Sequence, residues 1–294
     1  MELGEAYALI TAILWASAVV LFKHAGNSMS AHSLNLIKNV LGVGLLVPTA
    51  MFIEGSQLPQ LSALHWLILI GSGYLGIAVA DSWYFQALRM LGAGRTAIVG
   101  SLYSPMVIIL SIVLLGERLA WWKWSGFVLV LCGILIAIYQ RQYQQVDKGQ
   151  LRSGIALAIG AVFMTALGVV AMKPVLENDG FLWLVCLRLA AGTLGLMLFL
   201  GLRGQMSETI RIIRFEQHKW PTILAASLCG TYLAMIFWLA GFKHADASVA
   251  SVLNETSSIF IVLMAWLFLK EELSKRKVVG VLVAFIGVII FIGA

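Results

Sequence analysis

Apolar residues in this chain neither alternate with polar ones nor confine themselves to one helical face. They run on continuously, in ten stretches: 4–22, 34–53, 66–88, 95–115, 122–139, 153–172, 182–202, 221–242, 247–269 and 277–293. A helix rises about 1.5 Å per residue, so about 20 apolar residues cross a hydrocarbon layer about 30 Å thick. Continuous runs fit helices, which satisfy their own backbone in lipid, better than barrel strands, which alternate. Most connecting loops are short, so neighbouring helices are expected to run antiparallel. Two connectors are longer. Gln140–Arg152 is polar and divides the chain near its middle. Gly204–Lys219 is basic, and its Ile210, Ile212, Ile213 and Phe215 suit a segment lying on the membrane surface.

Composition agrees. Hydrophobic residues make up 61% of the chain and charged ones only 12%, half of the roughly 25% usual in a soluble domain. That excludes a soluble enzyme, a disordered chain and a collagen-like chain. The three Cys are far apart, and the five His show no HxxxH or HExxH spacing, so neither a metal nor a cofactor is expected. The start, Met1-Glu2-Leu3-Gly4-Glu5, lacks the basic residues of a cleavable signal, so the first run is expected to stay as a helix. Fourteen of the 20 Lys and Arg fall in or beside the loops after the odd-numbered runs. The excess of +6 is therefore an orientation signal rather than a mark of nucleic-acid binding, and it predicts both termini outside.

The halves resemble each other. A shift of 154 residues lays Gly76 on Gly230, Ser104 on Ser258, Glu117 on Glu271, Lys123 on Lys277, Gly126 on Gly280 and Gly133 on Gly287. A shift of 150 lays Lys23 on Lys173 and Lys38 on Arg188. Agreement of polar and Gly positions marks an internal repeat. The expected units are 1–139, a linker at 140–152, and 153–294. Five spans per half is an odd number, so the second half must enter the membrane inverted. That is the plan of many secondary transporters, with the substrate site near the midplane between the halves. The expected fold is all-α, with ten transmembrane helices as two inverted five-helix repeats.

Several strings carry a family resemblance: Tyr84-Phe85-Gln86-Ala87-Leu88-Arg89, Ala93-Gly94-Arg95-Thr96-Ala97, Ser104-Pro105, and Leu115-Gly116-Glu117-Arg118-Leu119 with Gly126. The second half answers with Ala245-Asp246-Ala247-Ser248, Leu269-Lys270-Glu271-Glu272-Leu273 and Gly280. The chain resembles the EamA-like branch of the drug/metabolite transporter superfamily over nearly its whole length. The resemblance implies a carrier of amino acids, purines, sugar phosphates or other metabolites, commonly an exporter. It places the carrier in a bacterial inner (plasma) membrane, and it implies cytoplasmic termini, against the charge bias. The second half departs from the pattern by placing Asn254-Glu255-Thr256-Ser257-Ser258-Ile259 where the first has Gly100–Pro105.

Four charges lie well within spans: Lys38, Asp81, Arg188 and Glu255. Each costs roughly 2.5–3.5 kcal/mol to insert, so each needs a partner, a wet cavity or a route to the interface. Asp81 and Glu255 each lie about 12 Å deep, from opposite faces, so both approach the midplane. There a carboxyl can exchange a proton or bind the substrate. Lys38 and Arg188 are either snorkelling or structural cations, or holders of a substrate carboxylate or phosphate. An ion pair of Asp81 or Glu255 with Lys38 or Arg188 is the structural alternative. Helical spacing puts Tyr74, Ile77, Asp81, Tyr84 and Leu88 on one face, and Asn254 beside Glu255 on a polar stripe. Trp15, Tyr84, Tyr103, Tyr232 and Trp238 are candidate cavity aromatics, able to hold an organic cation. Trp121, Trp122 and Trp124 read as an interface belt.

Pro105 leaves the Ser101 carbonyl without its helical donor and marks a kink or hinge. Its counterpart is Ile259, so the two halves need not move alike. The paired glycines Gly126/Gly133 and Gly280/Gly287 read as close-packing seams, internal or at a homodimer contact. The expected partners are a small-molecule substrate, protons and membrane lipids. An embedded lipid-modifying enzyme would need a nucleophile–base pair or metal motif, and no HExxH or GxSxG string is present. A lipid flippase is the remaining alternative to a metabolite carrier.

Overall fold

The computed structural model describes residues 2–25, 31–91, 93–139, 148–178, 180–215, 219–270 and 273–293. Most of the Gln140–Arg152 linker, and Glu271, lie outside them. The described residues are helical, with no strand. In chain order the α-helices are α1 (Leu3–Ala25), α2 (Ala31–Glu54), α3 (Ala63–Gly73), α4 (Ala80–Leu91), α5 (Ala93–Gly100), α6 (Tyr103–Leu115), α7 (Trp121–Ile138), α8 (Lys148–Leu176), α9 (Phe181–Leu202), α10 (Met206–Phe215), α11 (Trp220–Ser227), α12 (Ala234–His244), α13 (Ala247–Glu255), α14 (Ser257–Leu269) and α15 (Lys275–Ile292).

Several of these join end to end into one span: α3 with α4, α5 with α6, α11 with α12, and α13 with α14. Nine segments among the described residues are long and apolar enough to cross a membrane. The tenth expected span, α15, has 18 residues but opens on Lys275, Arg276 and Lys277, which takes it out of that set. Spans alternate in direction. The start of α1, the end of α15 and the ends of α2, α6, α8 and α12 gather at one end of the bundle, here the terminal end. The helices α1, α4, α7, α9 and α14 end on the opposite side, here the linker end.

The core is apolar and continuous, with Leu69, Met172, Leu184, Leu189 and Phe242 fully enclosed. Burial of such side chains contributes less in lipid than in water, so close fit carries much of the packing. The glycine seams show that fit. α7 and α15 lie antiparallel against each other, and a methyl group on Gly126 would sit 2.6 Å from the Phe291 nitrogen. One on Gly287 would sit 2.6 Å from the Val130 nitrogen. The four glycines thus serve one internal seam between the last spans of the two halves.

At the terminal end, Trp121, Trp122 and Trp124 stand exposed at the start of α7, as an interface belt requires. At the linker end, α10 lies partly on the protein. Met206 and Ile213 pack against a cluster built on Leu36, Leu196 and Leu200, while Ile210 faces outward.

Candidate functional site

The third and eighth spans are irregular at the same point. In each, the α-helix gives way to a six-residue π turn, Tyr74–Val79 and Leu228–Leu233, and then resumes. The turns are one repeat apart, and each has a glycine at its third position, Gly76 and Gly230. A π turn inserts an extra residue and recurs at functional sites. Here it rotates the rest of the span and splits the predicted face. Ile77 and Asp81 turn inward, while Tyr74 and Tyr84 are 43% and 37% exposed.

The fourth and ninth spans break at matched positions too. α5 gives way to α6 at Ser101–Leu102, and α13 to α14 at Thr256. Pro105 alone does not explain this, because the second half breaks without a proline. The break regions share a bonded hydroxyl instead. Ser101 Oγ donates to the Ile98 carbonyl at 2.7 Å, and Thr256 Oγ1 to the Leu253 carbonyl at 2.6 Å. Such bonds compete with the helical ladder. The two halves thus break at matched points, with or without a proline.

These four irregular spans, with α1, α2, α8 and α9, enclose a cavity of about 350 Å³. Eight of the nine predicted binding or coupling residues line it: Trp15, Lys38, Asp81, Tyr103, Arg188, Trp238, Asn254 and Glu255. Tyr84 does not, although it lies within electrostatic reach of Asp81. Tyr232 turns away, its hydroxyl 2.8 Å from that of Thr49 on α2. Thr11, Asn39, Thr165, Thr231, Met235 and Ser257 complete much of the polar and soft lining. Sequence reasoning missed these, because uncharged hydroxyls and amides do not stand out in an apolar span.

Arg188 is the centre of the site. It is 1% exposed, and its Nε donates to Ser72 Oγ at 3.3 Å. Its guanidinium lies 5.1 Å from the Trp238 ring centroid and 3.8 Å from Met235 Sδ. A methyl group on Gly76 would come within 3.1 Å of its Nη2, so the π-turn glycine makes room for it. Asp81 has Lys38 and Arg188 as charged neighbours and the Asn35 amide beside it. Glu255 faces the Ser104 backbone N–H. Among the described residues, the ion pair within 4.0 Å is Lys173–Glu117, at the terminal end.

Among the described residues, Thr231 Oγ1 and both amide heavy atoms of Asn254 have no hydrogen-bond partner. A buried polar group left unpaired costs about 1–3 kcal/mol, so the lining favours a polar ligand. Among the described residues, no group of His, Cys, Asp and Glu has a metal-binding arrangement.

The chain is similar to known proteins along almost all of its length. An uncharacterized transporter of Archaeoglobus fulgidus is 22% identical over 284 residues, covering 97% of this chain and 96% of that protein. Protein PecM of Dickeya dadantii is 26% identical over 243 residues, covering 82% of this chain and 77% of its own. A solved crystal structure superposes with a TM-score of 0.78 at 17% identity, over 98% of this chain and 95% of that one. The model of the EamA-like transporter family matches twice, at residues 2–139 and 152–293. Matched on both halves, this chain belongs to the EamA-like transporter family.

Proposed function

We propose that this membrane transporter carries a small zwitterion, an amino acid or a related amine, through the central cavity by alternating access. The observation that carries the reading is the sorting of charge in one cavity. Arg188 is a buried guanidinium that, among the described residues, has no carboxylate within 4.0 Å, and Asp81 and Glu255 line the same space. A substrate carboxylate answers the guanidinium by charge-assisted hydrogen bonds. A substrate ammonium answers Asp81 or Glu255, with Trp15, Tyr103 or Trp238 offering a ring face. A volume of about 350 Å³ suits a small metabolite. Glu255 then serves as the coupling carboxyl, exchanging a proton when the substrate leaves. Export across a bacterial inner membrane is the direction and place that the family resemblance implies. A lipid substrate is the second reading, favoured by the basic, partly outward-facing α10.

The test is flux of labelled amino acids, amines and lipids in proteoliposomes, with and without a pH gradient. Flux of a zwitterion that responds to the gradient, and loses that response in Glu255→Gln, is expected. Lipid movement without metabolite flux would overturn the reading.

A further inference from the structure

The repeat provides an internal control for which end of the bundle is closed. A shift of 154 residues carries α5 and α6 onto α13 and α14. If both ends were closed alike, packing of α6 on α13 at the terminal end would have a twin, α14 on α5, at the linker end. α6 does pack on α13, but among the described residues α5 has no comparable packing on α14. Likewise α8 meets α12 at the terminal end, and the corresponding pair, α1 and α4, has no comparable packing. Among the described residues, these pairs pack more closely at the terminal end than at the linker end.

Glu117 sits at the terminal end. Gly116 ends α6 with φ 68° and turns the chain so that Glu117 reaches the second half. The carboxylate accepts the Ala247 N–H at 2.6 Å, the Ser248 N–H at 3.0 Å, the Ser248 hydroxyl at 2.7 Å and the Lys173 ammonium at 2.9 Å. Lys173, near the end of α8, also donates to the Ala245 carbonyl at 2.8 Å. One carboxylate of the first half therefore ties two spans of the second. Burial alone would raise its pKa, but the bonds from Ser248, Lys173 and Ala247 outweigh burial and hold it below the usual carboxylate value. Its reach extends inward. α13 is a nine-residue helix whose first turn is held by Glu117 and whose last residue is Glu255, in the cavity. Whatever moves one end of so short a rod moves the other.

We propose that Glu117 is a gating residue of the transport cycle: with Lys173 and the first turn of α13 it holds the terminal end shut, and its release opens the central cavity to that side. This rests on the carrier reading above, and the experiment needs no knowledge of the substrate. Cys132, Cys186 and Cys229 are first replaced by Ser. Ser257→Cys then reports on the cavity, while Ser56→Cys and Ser207→Cys mark the terminal and linker ends. A membrane-impermeant maleimide is applied to sealed vesicles.

Ser257→Cys is expected to react from the linker end and to resist reagent from the terminal end. Glu117→Gln should raise its terminal-end labelling about tenfold, the factor expected for loss of roughly 1.4 kcal/mol of closed-state preference. Ser248→Ala removes only the hydroxyl donor, keeps the fold, and should give a smaller rise in the same direction. Glu54→Gln is the control. Glu54 likewise accepts the Leu182 and Trp183 N–H groups, at 3.0 and 3.1 Å, but it joins α2 to α9, which pack along their lengths. It should leave labelling unchanged. Unchanged terminal labelling in both Glu117→Gln and Ser248→Ala, or an equal rise in Glu54→Gln, would overturn the proposal. Either result leaves the zwitterion reading to be judged by its own flux experiment.

Discussion

Gly280→Ala adds one methyl group at the point where α7 and α15 touch backbone to backbone. That methyl would lie 2.6 Å from the Ala137 nitrogen, 2.7 Å from the Gly133 oxygen and 2.9 Å from the Ala137 Cα. Ordinary contact begins near 3.4 Å, so the helices must part by about 0.8 Å. All three atoms are backbone, and no side chain can swing aside. A gap of that size forfeits about a quarter to a half of the dispersion energy of the facing atoms. Overpacking of this kind costs about 1–3 kcal/mol. A fall in thermal midpoint on the order of 2–6 °C is expected. The assay is the midpoint of aggregation in detergent, read by fluorescence size exclusion of the tagged protein. Gly44→Ala is the matched control, because beyond its own helix backbone nothing lies within 4 Å of its new methyl group; it gains the helical preference of Ala over Gly, about 0.5–1 kcal/mol, with no clash. Gly133→Ala combined with Gly280→Ala should fall short of the sum, since one separation of the helices accommodates both. Equal midpoints for Gly280→Ala and Gly44→Ala, or strict additivity, would refute the account of the seam.

Three further outcomes are expected. Arg188→Lys keeps a charge but loses the planar group stacked near Trp238 and bonded to Ser72, so apparent substrate affinity should fall about 10–100-fold. Flux kinetics with an unchanged half-saturation would count against the guanidinium as the anion holder. Pro105→Ala should leave the Ser101–Leu102 break in place, because Thr256 breaks the matching span without a proline; transport within about threefold of the parent checks it. Glu117 has a folded-state pKa below its ordinary value of 4.5. Its contribution is therefore complete above the unfolded value and lost only as pH falls through the folded one. The stability difference between the parent and Glu117→Gln should be constant from about pH 8 to about pH 5.5, and close only below about pH 4. A difference that shrinks between about pH 7 and pH 6 would contradict that placement.

How much of this was legible beforehand depended on what each residue costs in lipid. Lys38, Asp81, Arg188 and Glu255 were visible because an in-span charge is expensive, and the fold gathers all four around one cavity. The glycine seam was visible because four glycines recur at one spacing, although spacing alone left open whether the seam was internal. Tyr84 was misplaced for a definite reason. The helical face was extrapolated through Tyr74–Val79, where the π turn shifts the register. The match of Gly76 with Gly230 was the available signal for that turn. Glu117 and Lys173 likewise stand at repeat positions, but Glu117's backbone partners, at Ala247 and Ser248, lie 130 and 131 residues away. Periodicity carries no information about such partners. The break at Thr256 was hidden because its bonded hydroxyl is common in membrane helices, whereas Pro105 drew the eye.

The pairing of α7 with α15 also sets conditions on how the chain enters the membrane. α7 is complete by Ile138, yet the surface that covers its glycines begins only at Lys275, after the intervening helices of the second half. Until α15 is made, the face that carries Gly126 and Gly133 lacks the helix that covers it. The seam closes only once α15 has entered the membrane beside α7.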